Sequence, residues 1–79
     1  MPRFHFHIEE NGRLIKDEDG QEFLDGEKVR KEAIATGASI ARDAFMAGCA
    51  CRVVVDVREN NARFLKVSIT LDVQEDGED

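Results

Sequence analysis

Phe4, Phe6 and Ile8 alternate with Arg3, His5, His7 and Glu9, a period of two that predicts a strand buried on one side and wet on the other. Asn11-Gly12 follows, and both residues tolerate the positive φ that a type I′ hairpin turn needs. Arg13 to Lys16 then returns as a second strand. A two-residue turn pairs Ile8 with Ile15 on the apolar side. It sets Leu14 opposite Glu9 on the other side, where Leu14 stays partly exposed. Asp17 to Leu24 is an acidic loop, and Asp25 at its end suits a helix N-cap.

From Gly26 to Ala47 the apolar spacing becomes helical, with Val29, Ala33, Gly37, Ile40, Ala41, Ala44 and Phe45 on one stripe. Most of that stripe is small, so the helix can lie close on a sheet. Gly37 in mid-helix costs up to about 1 kcal/mol relative to alanine, and close packing is the reason the pattern suggests for it. Gly48 fits the C-terminal stop.

Cys51 to Arg58 is the next predicted strand, with Cys51, Val53, Val55 and Val57 on one face. Arg63 to Val73 is the last, with Leu65, Val67, Ile69, Leu71 and Val73 on one face. A strict two-residue turn at Asn60-Asn61 would pair Val55 with Lys66 on one face. A three-residue loop, Asn60 to Ala62, or an equivalent bulge, instead pairs Val57 with Leu65 and aligns both apolar rows.

The order is ββαββ. One helix covering one face of one sheet gives an α+β fold, a two-layer sandwich of one long helix on a four-stranded, mainly antiparallel sheet. A 22-residue helix spans about 33 Å and returns the chain to the far end of the sheet. All-antiparallel strands then follow with the first strand between the second and the third, and the fourth outside the third. Other orders satisfy the same alternation.

Composition narrows the function classes. The 79 residues make one domain, residues 1–73, followed by an acidic tail, 74–79, with no apolar residue to bury and therefore expected to be disordered. A chain of this size buries only about 60–65% of its unfolded surface, so a second copy or another partner is a natural source of further apolar contact. Seventeen acidic residues against 11 basic ones give a net charge of −6, which repels phosphate backbones and disfavours nucleic acid as a partner. No stretch is apolar enough to cross a membrane, and the first ten residues lack the apolar core of a signal peptide. A cytoplasmic protein is therefore expected, with both cysteines as free thiols.

Candidate chemistry starts at His5-x-His7, whose imidazoles project from the same strand face, a spacing that can chelate a metal. A metal site needs three or four ligands, and Arg3 and Lys16 on that face oppose a bound cation. Exposed strand histidines are the simpler reading. Cys49-Ala50-Cys51 suggests a two-Cys, two-His zinc site. However, Cys51 belongs to the row facing the helix while His5 and His7 face away, and zinc cysteines come as C-x₂₋₄-C pairs. Cys51 is expected as a buried core thiol, and Cys49, at the helix exit, as the candidate reactive thiol. Asp17-Glu18-Asp19-Gly20-Gln21-Glu22 brushes against a calcium-loop pattern. Counted from Asp17, its sixth and twelfth positions hold Glu22 and Lys28 where glycine and a bidentate glutamate are needed. Ser39 and Ser68 have no base beside them, and no phosphate-binding glycine loop is present. Phe64 beside Arg63 and Lys66 is only a faint base-stacking platform.

The start Met1-Pro2-Arg3-Phe4-x-Phe6-His7, the segment Asp17-Glu18-x-Gly20-x-Glu22-Phe23-x-Asp25 and a charged helix start with Glu32-Ala33 form a recognisable pattern. It resembles a family of small bacterial proteins that usually begin MPRYFFH and are grouped as a domain of unknown function. The resemblance covers the first half well and the last two strands loosely. It implies a bacterial stand-alone domain and carries no activity, cofactor or catalytic residue. Arg3 and His7 match the family start without a role attached.

Together these features lead to the expectation of a non-enzymatic protein-interaction module without a cofactor, whose partner is another protein or a second copy of itself. Its contact surface would be a strand edge or the outer sheet face, where alternation places His5, His7, Val54, Phe64 and Lys66. The alternatives are a metal- or redox-responsive module using His5 and His7 or Cys49 and Cys51, and a nucleic-acid-associated regulator.

Overall fold

The computed structural model describes residues 2–77. Strands β1 (Arg3–Glu10) and β2 (Arg13–Ile15) form the expected hairpin, followed by a two-residue strand β3 (Gln21–Glu22). Helix α1 (Gly26–Ala47) leads to β4 (Arg52–Glu59) and β5 (Ala62–Thr70). The main path of the sheet is β2-β1-β4-β5, with every pairing antiparallel, and β3 also pairs with β1. This is the predicted α+β sandwich, in one of the strand orders that the alternation allows, with one short strand added. Glu78 and Asp79, the end of the tail expected to be disordered, lie outside the described residues, as does Met1 of the start pattern.

The first turn follows its residues. Asn11 and Gly12 sit at φ 51° and 87°, and Ile8 pairs with Ile15 and Glu9 with Leu14. Asp25 caps α1 by accepting the Glu27 N–H at 2.9 Å. Gly48 ends α1 in the left-handed region at φ 74°, where the Gly48 N–H donates to Phe45 O.

The core is made of small side chains. Val29, Ala33, Gly37, Ala41 and Ala44 are the buried face of α1, and they meet Val53, Val55 and Val57 of β4. The largest fully buried side chains are four valines. Phe4, Phe6 and Ile8 close the core from β1. The helix lies chiefly over β4 and β5. Ile15, expected on the apolar side, therefore stays 47% exposed at the edge that α1 does not reach.

Gly37 shows how close the two layers come. A Cβ there would stand 3.0 Å from Val55 Cγ2 and 3.1 Å from Ile69 Cδ1. Gly37→Ala recovers up to about 1 kcal/mol of helix propensity, but the forced shift of packed methyl groups costs about 1–3 kcal/mol. A net loss of about 1 kcal/mol is expected, read as a lower urea midpoint at unchanged slope.

Three sequence expectations are refined or corrected. First, the turn between β4 and β5 takes the second of its two expected routes, a two-residue turn with a bulge: Asn60 and Asn61 both take positive φ, at 54° and 66°, and Glu59 pairs with Ala62. The register is then repaired by a bulge, since Arg58 pairs with Arg63 but Val57 with Leu65, leaving Phe64 as the extra residue. The predicted Val57–Leu65 pairing thus holds by the bulge route. Second, β5 stops at Thr70, and Leu71 and Val73 are 40% and 65% exposed. Third, Cys51 is not a core thiol. Strand β4 begins only at Arg52, and it is Ala50 that turns into the core while Cys51 is exposed.

Candidate interaction surface

The two edges of the sheet differ. In an antiparallel strand, alternate residues turn both N–H and C=O to the same neighbour. Phe4, Phe6, Ile8 and Glu10 thus turn theirs away from β4. Ile8 and Glu10 are met by β2, and Phe4 by Gln21 of β3. Between them the Phe6 N–H donates to the Asp17 carboxylate at 3.0 Å, and Pro2 O accepts the Phe23 N–H at 3.1 Å. From Pro2 to Glu10 this edge is covered by backbone or carboxylate.

Asp17 stands where the hairpin register, continued from Ile8–Ile15, would place a residue opposite Phe6. Beyond it the register slips: four steps along β1 from Ile8 to Phe4 correspond to six from Ile15 to Gln21. The two extra residues swing out around Gly20, whose N–H returns to the other Asp17 oxygen at 3.0 Å. Gly20 sits at φ 72° with no room for a Cβ, which would come within 2.9 Å of Arg3 Cγ, His5 Nε2 and Phe4 O. Arg3 holds the same turn by donating to Asp19 O at 2.8 Å and to Glu22 at 3.1 Å.

The two histidines belong to this edge. They stack with ring centres 6.3 Å apart, and His7 Nδ1 accepts the Asp17 N–H at 3.1 Å. His5 lies against Gly20. One His7 nitrogen is therefore engaged in holding the acidic loop. Among the described residues, no three His, Cys, Asp or Glu side chains gather as a metal site.

Partial burial by itself would raise the Asp17 pKa. The N–H groups of Phe6, Gly20 and Asp19 and the nearby charge of His5 outweigh it, and the carboxyl titrates below its ordinary value. Asp56 on β4 behaves alike. Burial opposes its charge, but hydrogen bonds from Arg58 at 3.1 Å and Arg63 at 3.2 Å prevail and lower its pKa.

Among the described residues, none pairs with the opposite edge. Leu71 N–H donates to Cys51 O at 2.9 Å, which fixes the alternation: the odd residues Leu65, Val67 and Ile69 bond β4, and Lys66, Ser68 and Thr70 turn their backbone groups outward. The apolar row Leu65, Val67 and Ile69 is only half covered by α1.

The outer face differs from its expected form. Val54 and Lys66 lie on it with Glu9, Asn11, Cys51 and Arg52 around a shallow cleft. Val54, however, is only 5% exposed, because its neighbours cover it. Phe64 is not on this face. As the bulge residue it turns to the helix side, 5.0 Å from the Phe4 ring and against Gly26, and Arg63 takes the outer position beside Asp56. Cys49 and Cys51 line different clefts and share only the tie to Asn11, whose side chain bonds Cys49 O and the Cys51 N–H.

A family model described as Domain of unknown function (DUF6894) matches residues 3–70, from the first residue of β1 to the last of β5. The chain belongs to this family. The DUF6894 match covers the whole sheet and helix and leaves out the acidic tail. No curated protein and no solved structure matches the chain. Among the described residues, no helix is long and apolar enough to cross a membrane.

Sequence reasoning missed Asp17. Its signal was present, because the hairpin register left the Phe6 N–H without a partner and put a carboxylate opposite it.

Proposed function

We propose that this DUF6894 domain is a non-enzymatic protein-interaction module that self-associates through the β5 edge of its sheet. The observation that carries the reading is the contrast between the edges. On one side the sheet ends in strands of three and two residues, which with the Asp17 carboxylate cover β1 from Pro2 to Glu10; on the other it ends in β5, open from Leu65 to Thr70. A long unprotected edge is a template for pairing with another chain. Among the described residues, a single lysine is the only charge on it from Leu65 to Thr70 and no proline interrupts. The valine-and-alanine core supports the same reading, since a domain of this size gains from apolar contacts outside its own chain.

The test is the solution mass by light scattering across concentration, with and without reductant and chelator. The chain weighs 8.9 kDa, and twice that mass under all four conditions is the expected result. Loss of the dimer with chelator would give the contact to His5 and His7, and loss with reductant would give it to Cys49. A monomer throughout would overturn self-association.

A further inference from the structure

The open edge is self-complementary. Lys66, Ser68 and Thr70 offer backbone donors and acceptors outward, while Leu65, Val67 and Ile69 line the helix side. We propose that a second copy of the chain pairs with β5 antiparallel about a two-fold axis at Val67, joining two sheets into one. The proposal rests on the self-association reading and specifies its register.

Three observations select this register. Pairing shifted by one residue would set the apolar row against the polar one. An axis at Lys66 would place two lysines directly opposite each other, which is unfavourable. An axis at Val67 uses the whole stretch from the bulge at Phe64 to the strand end at Thr70. It sets Val67 against Val67, Leu65 against Ile69, and Lys66 against Ser68, so the outward N–H and C=O groups of Lys66 and Ser68 bond in reciprocal pairs. An axis at Ser68 pairs only the five residues from Lys66 to Thr70 and sets Leu65 against Leu71, past the end of the strand.

On the helix side, Ile34 is 42% exposed on a flank of α1 about 120° from Ile40, which faces Glu10 of β1. It extends the half-covered apolar row of β5 toward the second copy.

The experiment is sedimentation equilibrium on the full chain in reductant, with three variants checked for fold by circular dichroism. Ser68→Lys puts a lysine opposite Lys66 twice in the dimer and is expected to weaken it about ten-fold. Lys66→Glu combined with Ser68→Lys restores opposite charges and the dimer. Thr70→Lys adds the same charge without facing Lys66 and leaves the dimer intact. A wild-type dimer that ignores Ser68→Lys, is not rescued by the double change, or is broken equally by Thr70→Lys overturns the Val67 register and leaves self-association standing. A monomeric wild type overturns both.

Discussion

Phe4→Ala is expected to abolish the folded state at room temperature. Phe4 is 3% exposed and joins three parts of the chain distant in sequence. Its ring meets Phe23, from the loop before α1, edge-on at 6.0 Å, and Phe64 of the β5 bulge at 5.0 Å. Phe64 in turn covers Gly26 at the helix start. Truncating a buried phenylalanine costs about 3–5 kcal/mol. A domain of this size holds roughly 3–5 kcal/mol of net stability, so a single loss of that order is enough. The chain has neither tryptophan nor tyrosine, so the measurement is far-UV circular dichroism with urea titration. Phe4→Ala should show no cooperative transition, while Met46→Ala, at an 84% exposed position, should stay within about 0.5 kcal/mol of the wild type. A cooperative Phe4→Ala domain with a midpoint near the wild type would mean that the aromatic cluster is not a keystone of the fold.

The same cluster shows what was legible from the residues alone and what was not. Strict alternation named the faces of β1 and β4, and the small stripe from Val29 to Ala44 named the face of α1, because burial imposes those periods over many residues. Alternation puts Phe64 on the wrong side because a bulge adds one residue and reverses the phase at a single point. The constraint that demanded a bulge, aligning Val57 with Leu65, did not say which residue would be the extra one. Alternation puts Cys51 in the core only if the phase of β4 is extended back past its first residue, where the exit from Gly48 breaks it. Strand β3 has two residues, too few to carry a period, and exists because β1 offers it a partner. The edge contrast was half legible. The hairpin register, continued, sets Asp17 opposite Phe6, but the return of the loop to Phe4 crosses a register slip held by Arg3 and Gly20, and no local pattern encodes that slip.

Asp17→Ala is expected to destabilise the domain by about 2–4 kcal/mol at neutral pH. One carboxylate satisfies two backbone donors, the Phe6 N–H and the Gly20 N–H, both at 3.0 Å. Leaving a part-buried donor unmet costs about 1–3 kcal/mol each. Asp17→Asn keeps one acceptor oxygen and should lose roughly half as much. The acid limb gives an independent check. The Asp17 pKa is lowered in the folded chain from an ordinary value of 3.8, so the unfolded chain binds the proton first. The stabilisation is complete well above pH 3.8 and disappears as pH falls through the depressed folded value. Asp56 adds a similar acid dependence through Arg58 and Arg63. Asp17→Ala should therefore flatten part of the stability loss between neutral pH and about pH 3, and Asp17→Ala with Asp56→Ala should flatten more of it. Amide exchange at Phe6 locates the effect. That proton sits in the one gap of the β1 edge that no strand fills, so its protection should collapse in Asp17→Ala while the amides of Val55 and Val57 keep theirs relative to global unfolding. Persistent protection at Phe6 would show that β1 does not need the carboxylate to close its edge, and the contrast between a closed and an open edge would then lose its cause.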